Sequence, residues 1–74
     1  MRDQNFHTAI AKVIKDTRKH LNFTQKEIAE IVKVNVRTIR HIEAGTNNTT
    51  ADLLKAIAEC FNLKLSTLLT KAGY

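Results

Sequence analysis

The chain has 74 residues, no proline and only two glycines, a composition that favours helices over a β-sandwich or a β-barrel. Its formal net charge of +5 favours an anionic partner, with nucleic acid ahead of a membrane surface or an acidic protein. A single cysteine excludes an internal disulfide, and no apolar run approaches the roughly 20 residues of a membrane span, so we expect a cytoplasmic protein without a membrane partner.

The first predicted element is a helix from about Asn5 to His20. Its apolar residues recur at steps of three and four, which places them on one helix face: Phe6, Ile10, Val13 and Ile14. Lysines and an aspartate cover the opposite side. Leu21, which follows the helix, is expected to turn back toward the core.

A second helix begins at a clear start signal. The segment Thr24–Glu27 forms a capping box, because a threonine at the N-cap is followed three residues later by a glutamate. Ile28 and Val32 then form an apolar pair one helical turn apart. A tight turn over residues 33–35 follows, and Asn35 suits the N-cap of a third helix.

The third helix is expected to bury Ile39 and Ile42. Gly45 lies where a residue in the left-handed conformation would end that helix. The two helices and their turn therefore form a predicted helix-turn-helix over about residues 24–45.

A fourth helix should follow the polar segment 46–50, with Thr49 and Asp52 resembling a second capping box. It should end near Asn62. Its core residues have helical spacing: Leu53, Leu54, Ile57 and Phe61.

Ser66 is expected to cap a short fifth helix, and residues 70–74 are expected to be frayed. The apolar residues near this end, Leu68, Leu69 and Tyr74, have two interpretations. They either complete the core or form a seam between two subunits.

Two short helices joined by about three residues are typical of a DNA-reading unit, in which the second helix enters the major groove. Ala29 is small where the second helix must approach the third, and Val34 can pin the turn to the core. If Ile39 packs inward, the basic residues of the third helix face outward: Arg37, Arg40 and His41.

The sequence resembles the Cro/C1-type (Xre) family of helix-turn-helix proteins, across roughly Val13 to Leu69. The residues that carry the resemblance are Thr24, Gln25, Glu27, Ile28, Ala29, Val34, Ile39, Ile42, Glu43 and Gly45. It implies an all-α, compact five-helix domain of the lambda-repressor-like type. No linker or repeat divides the sequence, so residues 1–74 are expected to form a single domain. It also implies binding of double-stranded DNA. No enzymatic activity and no cofactor are expected, because the sequence shows no catalytic site or pocket-building segment.

The same resemblance assigns roles to individual residues. Base reading would fall to Val36, Arg37 and His41, and phosphate binding to Gln25, Thr38, Asn47 and Asn48. The glutamine of the family also braces the first base-reading side chain. Arg18 would form a structural ion pair with Glu43, which braces the first helix against the third.

The chemistry of these side chains agrees with the roles. Arg37 can donate two hydrogen bonds to guanine O6 and N7, and Val36 offers carbon to a thymine methyl group. Arg40 lies nearer the flank, which favours phosphate. Lys33 stands where the family usually has glycine in a left-handed turn, so it carries backbone strain but adds a cation for phosphate.

These features predict a transcription regulator, a repressor that acts as a homodimer on an inverted-repeat operator. The alternative is an antitoxin-type interaction module that binds a toxin as well as DNA, to which an exposed Ile31 and the loop over 47–50 would be suited. A metal site is not expected, because the three histidines lack ligand spacing and Cys60 has no second cysteine.

Overall fold

The computed structural model describes residues 3–45 and 49–74, with side chains from Phe6 onward. These residues form five helices and no strand. In chain order the helices are α1 (Asp3–His20), α2 (Gln25–Val32), α3 (Val36–Glu43), α4 (Ala51–Cys60) and α5 (Leu65–Lys71). The predicted all-α, five-helix fold is confirmed, and none of the described helices is long and apolar enough to cross a membrane.

Each helix contributes one large, fully buried side chain to a common core. These residues are Ile14, Ile28, Ile39, Ile57 and Leu68. Burial of each such side chain contributes roughly 1.5–3 kcal/mol to folding. The predicted inward faces are therefore correct, with one exception: Leu21, expected to turn back to the core, is 44% exposed. The chain turns at Asn22, in the left-handed conformation, and Phe23 rather than Leu21 packs against the core.

The starts of α2 and α3 follow the sequence signals. The Thr24 hydroxyl accepts a hydrogen bond from the amide of Glu27 (3.0 Å), and the Glu27 carboxylate accepts one from the amide of Thr24 (2.8 Å). The predicted capping box is thus confirmed. Asn35 caps α3, because its Oδ1 accepts a hydrogen bond from the amide of Arg37 at 2.8 Å.

The start of α4 corrects one prediction. Thr50, not Thr49, is the N-cap, and its hydroxyl accepts a hydrogen bond from the amide of Leu53 at 3.1 Å. Adjacent threonines have the same capping chemistry, so their sequence could not choose between them. The extended backbone that an N-cap needs occurs at Thr50.

The start of α5 corrects a second prediction. Ser66 lies inside the first turn, and the N-cap is Lys64, which makes no side-chain capping hydrogen bond. The connection from α4 is short, because Asn62 adopts the left-handed conformation and the amide of Leu63 donates to the carbonyl of Ala58 at 2.8 Å. Burial of Leu68, which is fully enclosed, stabilises the short helix without a side-chain cap.

Residues 70–74, predicted to be frayed, instead form a hydrogen-bonded helix end. The amide of Gly73, at φ +93°, donates to the carbonyl of Thr70, and the amide of Tyr74 donates to the carbonyl of Leu69. These two bonds form a Schellman motif. The Tyr74 ring also meets the Phe6 ring edge-on, with 5.1 Å between centroids, and this contact holds the segment against α1.

Three described residues other than glycine have positive φ, and each follows a helix: Asn22 (+64°), Lys33 (+63°) and Asn62 (+61°). Asparagine tolerates this left-handed conformation better than other side chains, because it can hydrogen-bond locally. Lys33 has no such compensation, so α2 ends at a strained residue.

We expect the substitution Lys33→Gly to raise the free energy of unfolding by about 0.5–1 kcal/mol, because glycine removes the strain but gains entropy in the unfolded chain. Urea denaturation measures the change. Asn62→Gly is the matched control, since it has the same backbone conformation and the same unfolded-state effect with less strain to relieve. An equal increase in the free energy of unfolding in both variants would contradict strain at Lys33.

Candidate nucleic-acid interface

The turn between α2 and α3 is held by backbone hydrogen bonds and by an apolar contact. The amide of Val34 donates to the carbonyl of Ala29 at 2.9 Å, and the half-buried Val34 side chain packs against the core. Ala29 itself is buried, which leaves room for α3 beside α2. The two helices are therefore a rigid pair, with α3 fixed on the core through its inner side.

The inner side of α3 is fully packed. Ile39 is 0% exposed and Ile42 is 3% exposed. Because residues three and four apart lie on the same side of a helix, Arg37, Arg40 and His41 share the opposite side, and all three are exposed. We call these three residues the outer face of α3.

The outer face is cationic and its arginines are available. Among the residues that the structure describes, the guanidinium groups of Arg37 and Arg40 make no hydrogen bond or ion pair. The ion pairs of the described residues are Lys12–Asp16 and Arg18–Glu43. No acidic residue occurs between Lys33 and Ile42. Among the described residues no group therefore neutralises Arg37 and Arg40, and their positive charge can attract an anionic partner.

Two further predicted contact residues lie at the start of α3. Val36 is half-buried and packs against the core, so only part of its side chain is available to a ligand. Thr38 is also half-buried, and its amide donates to the carbonyl of Asn35 at 2.9 Å, which leaves its hydroxyl as the group for an outside partner. The exposed Lys33 precedes them in the turn. Asn47 and Asn48 lie outside the described residues.

A polar network behind this surface joins α1, α2 and α3. Arg18 holds the Glu43 carboxylate through two bonds, Nε to Oε2 at 2.6 Å and Nη2 to Oε1 at 3.1 Å. Its third nitrogen, Nη1, donates to the carbonyl of Phe23 at 2.9 Å. Gln25, the first residue of α2, donates from Nε2 to Oε1 of Glu43 at 3.1 Å. The structure thus brings Arg18, Glu43 and Gln25 into one cluster.

The pair of Arg18 and Glu43 is the one that the family resemblance implies, whereas no signal in the sequence indicates the bonds to Gln25 and Phe23. Gln25 and Glu43 are 18 positions apart. Local periodicity and capping signals do not reach over that distance, so only the packing of α2 on α3 shows the contact.

Other chemistry on the described surface is sparse. Among the described residues, no group of three or more histidine, cysteine, aspartate or glutamate side chains could hold a metal ion. Cys60 is half-buried, and burial raises the pKa of its thiol, which disfavours the reactive thiolate.

A helix-turn-helix family model matches residues 14–68, which include the turn and the outer face of α3. The chain belongs to the Cro/C1-type helix-turn-helix family. It is 38% identical over 55 residues to an uncharacterized HTH-type transcriptional regulator of Archaeoglobus fulgidus, an alignment that covers 74% of this chain and 78% of the relative. This helix-turn-helix chain is therefore a DNA-binding domain of the transcription-regulator class.

Solved structures show the same fold. Two crystal structures of the clp gene regulator ClgR from Corynebacterium glutamicum superpose with TM-scores of 0.88 and 0.87, at 19% sequence identity. Each match covers 92% of this helix-turn-helix chain, and 72% and 87% of the respective ClgR chain. At this level of identity the likeness concerns the fold.

Proposed function

We propose that this helix-turn-helix protein is a sequence-specific transcription repressor that acts in the cytoplasm as a homodimer on an inverted-repeat operator. It carries out no catalysis in this role. The observation that carries the proposal is the two-sided character of α3: its inner isoleucines are buried, whereas Arg37 and Arg40 extend outward without partners among the described residues.

The dimensions of the molecule support this mode of binding. An α-helix with its side chains is roughly 10–12 Å wide and fits a major groove about 12 Å wide. The domain measures 31 × 22 × 21 Å. Two copies side by side can therefore present their α3 helices about 34 Å apart, which is one turn of B-DNA.

In the bound state Arg37 reads a guanine by a bidentate contact, with Val36 and His41 as neighbouring base contacts. A second group of residues binds phosphates and sets the position of α3 in the groove: Gln25, Lys33, Thr38, Arg40, Asn47 and Asn48. Gln25 lies at the start of α2, where unpaired backbone amides already favour anions.

Salt dependence of duplex binding tests the proposal. If Lys33 and Arg40 of two protomers neutralise phosphates, four condensed cations leave the DNA, and the plot of log K against log salt should have a slope of roughly −3.6 or steeper. Fluorescence anisotropy with a mixed-sequence 20-base-pair duplex at several salt concentrations measures the slope. Sedimentation of the complex should show two chains per duplex.

A single-stranded oligonucleotide of the same length is the control, and it should bind more weakly because it offers no major groove. A nearly flat salt response, or equal affinity for the single strand, would contradict the proposed docking.

An antitoxin-type interaction module is the second candidate. It rests on one observation: Ile31, on α2, is 53% exposed although it is a large apolar residue. This function predicts a stable complex with a second, different protein chain, whereas the repressor proposal predicts a duplex complex that contains copies of this chain alone.

A further inference from the structure

Glu43 is the acidic residue of α3, and its side chain packs toward α1 and α2 rather than on the outer face. Its side chain is only 3% exposed, and its Oε1 accepts hydrogen bonds from two side chains, Arg18 on α1 and Gln25 on α2, each at 3.1 Å. The carboxylate therefore connects α3 to the first residue of α2.

We propose that Glu43 is a positioning residue for DNA binding: it fixes the orientation of the Gln25 side-chain amide before DNA arrives. The inference rests on the proposed function and deepens it, since it concerns how one contact to the DNA backbone is prepared.

The orientation follows from hydrogen-bond chemistry. An ionised carboxylate only accepts hydrogen bonds, so Gln25 must turn its amide nitrogen, and not its oxygen, toward Glu43. One Nε2 proton is used in that bond. The other proton is left to donate to a phosphate, and Oε1 is left to accept from a neighbouring donor. A neutral group at position 43 would accept either orientation of the amide.

The Arg18 guanidinium completes the arrangement. Its two bonds to Glu43 form a planar fork that holds the carboxylate, and its bond to the Phe23 carbonyl ties the fork to the chain just before α2. Because Gln25 is half-buried and already bonded, it loses little conformational freedom when it contacts DNA.

A double-mutant cycle tests the inference. We would compare wild type, Glu43→Gln, Gln25→Ala and the double variant for binding to a mixed-sequence 20-base-pair duplex, at a temperature where circular dichroism shows each to be folded. Glu43→Gln should weaken binding roughly two- to ten-fold when residue 25 is glutamine, because the amide is no longer held. It should not weaken binding when residue 25 is alanine.

The sign of this effect separates positioning from general electrostatics. Glu43→Gln removes a negative charge, which by itself would tighten binding to DNA. Asp16→Asn is the matched control: it makes the same change of charge and shape in the exposed Lys12–Asp16 pair, and it should tighten binding slightly or leave it unchanged. The inference would be overturned if Glu43→Gln weakened binding equally with glutamine and with alanine at position 25, or if it weakened binding with neither.

If Glu43→Gln does not fold, the wild-type protein provides a second measurement. The side-chain amide of Gln25 should give an NMR order parameter above roughly 0.6 in the free protein, because it is held, and a value below this would overturn the inference. Failure of the proposed function is distinguishable, since it would appear as loss of duplex binding by the wild type itself.

Discussion

Replacement of Arg18 by alanine should lower the free energy of unfolding by about 3 kcal/mol, because it leaves the Glu43 carboxylate buried with only Gln25 as a donor. Both members of the pair are shielded from water, with side chains 12% and 3% exposed. For a domain of this size, the loss corresponds to a fall in melting temperature of roughly 12–24 °C. Thermal denaturation followed by circular dichroism measures it.

Lys12→Ala is the matched control, since it breaks an ion pair on the same helix that lies in solvent, with side chains 78% and 62% exposed. An exposed pair of this kind contributes at most about 0.5 kcal/mol. Equal falls in the melting temperatures of the two variants would show that Arg18 and Glu43 do not brace α1 against α3.

Much of the fold was predictable because its signals are local. A helix needs a cap and an apolar stripe, and both can be identified within a few residues, as at Thr24 and Asn35. The sequence did not predict the structure correctly where two neighbouring residues had the same capping chemistry, or where a contact with a residue distant in sequence determined the local conformation. Thr49 and Thr50 are equally good caps, and the order of the last residues depends partly on the ring of Phe6, at the other end of the chain.

The candidate site was predictable to a similar degree. The spacing of Ile39 and Ile42 fixes which side of α3 is buried and therefore which arginines face outward. The bond between Gln25 and Glu43 was not predictable, because it depends on how α2 packs on α3. Local patterns indicate which side chains are exposed, whereas the contacts that orient them arise from tertiary packing.

Arg37→Ala should remove recognition of one base pair in each half-site. A bidentate arginine–guanine contact contributes about 1–3 kcal/mol of discrimination, so the preference at that position should fall by a factor of roughly 5 to 150. The physical reason is that the exposed guanidinium has no partner among the described residues and can present both of its donors to a base edge.

Arg40→Ala is the matched control, because it removes the same charged group from the same face one helical turn later. If Arg40 binds phosphate, the variant should weaken binding to all sequences about equally and reduce the salt slope by about 1 for each contact. Loss of base preference in Arg40→Ala would show that Arg40, and not only Arg37, reads a base.

We propose that the outer face of α3 reads bases in the major groove. The most direct test of this claim is selection from a random duplex pool by wild type and by Arg37→Ala side by side, followed by sequencing of the bound DNA. We predict that the wild type enriches an inverted repeat and that the variant loses the preference at one position in each half. Enrichment of the same motif by both proteins would contradict the claim.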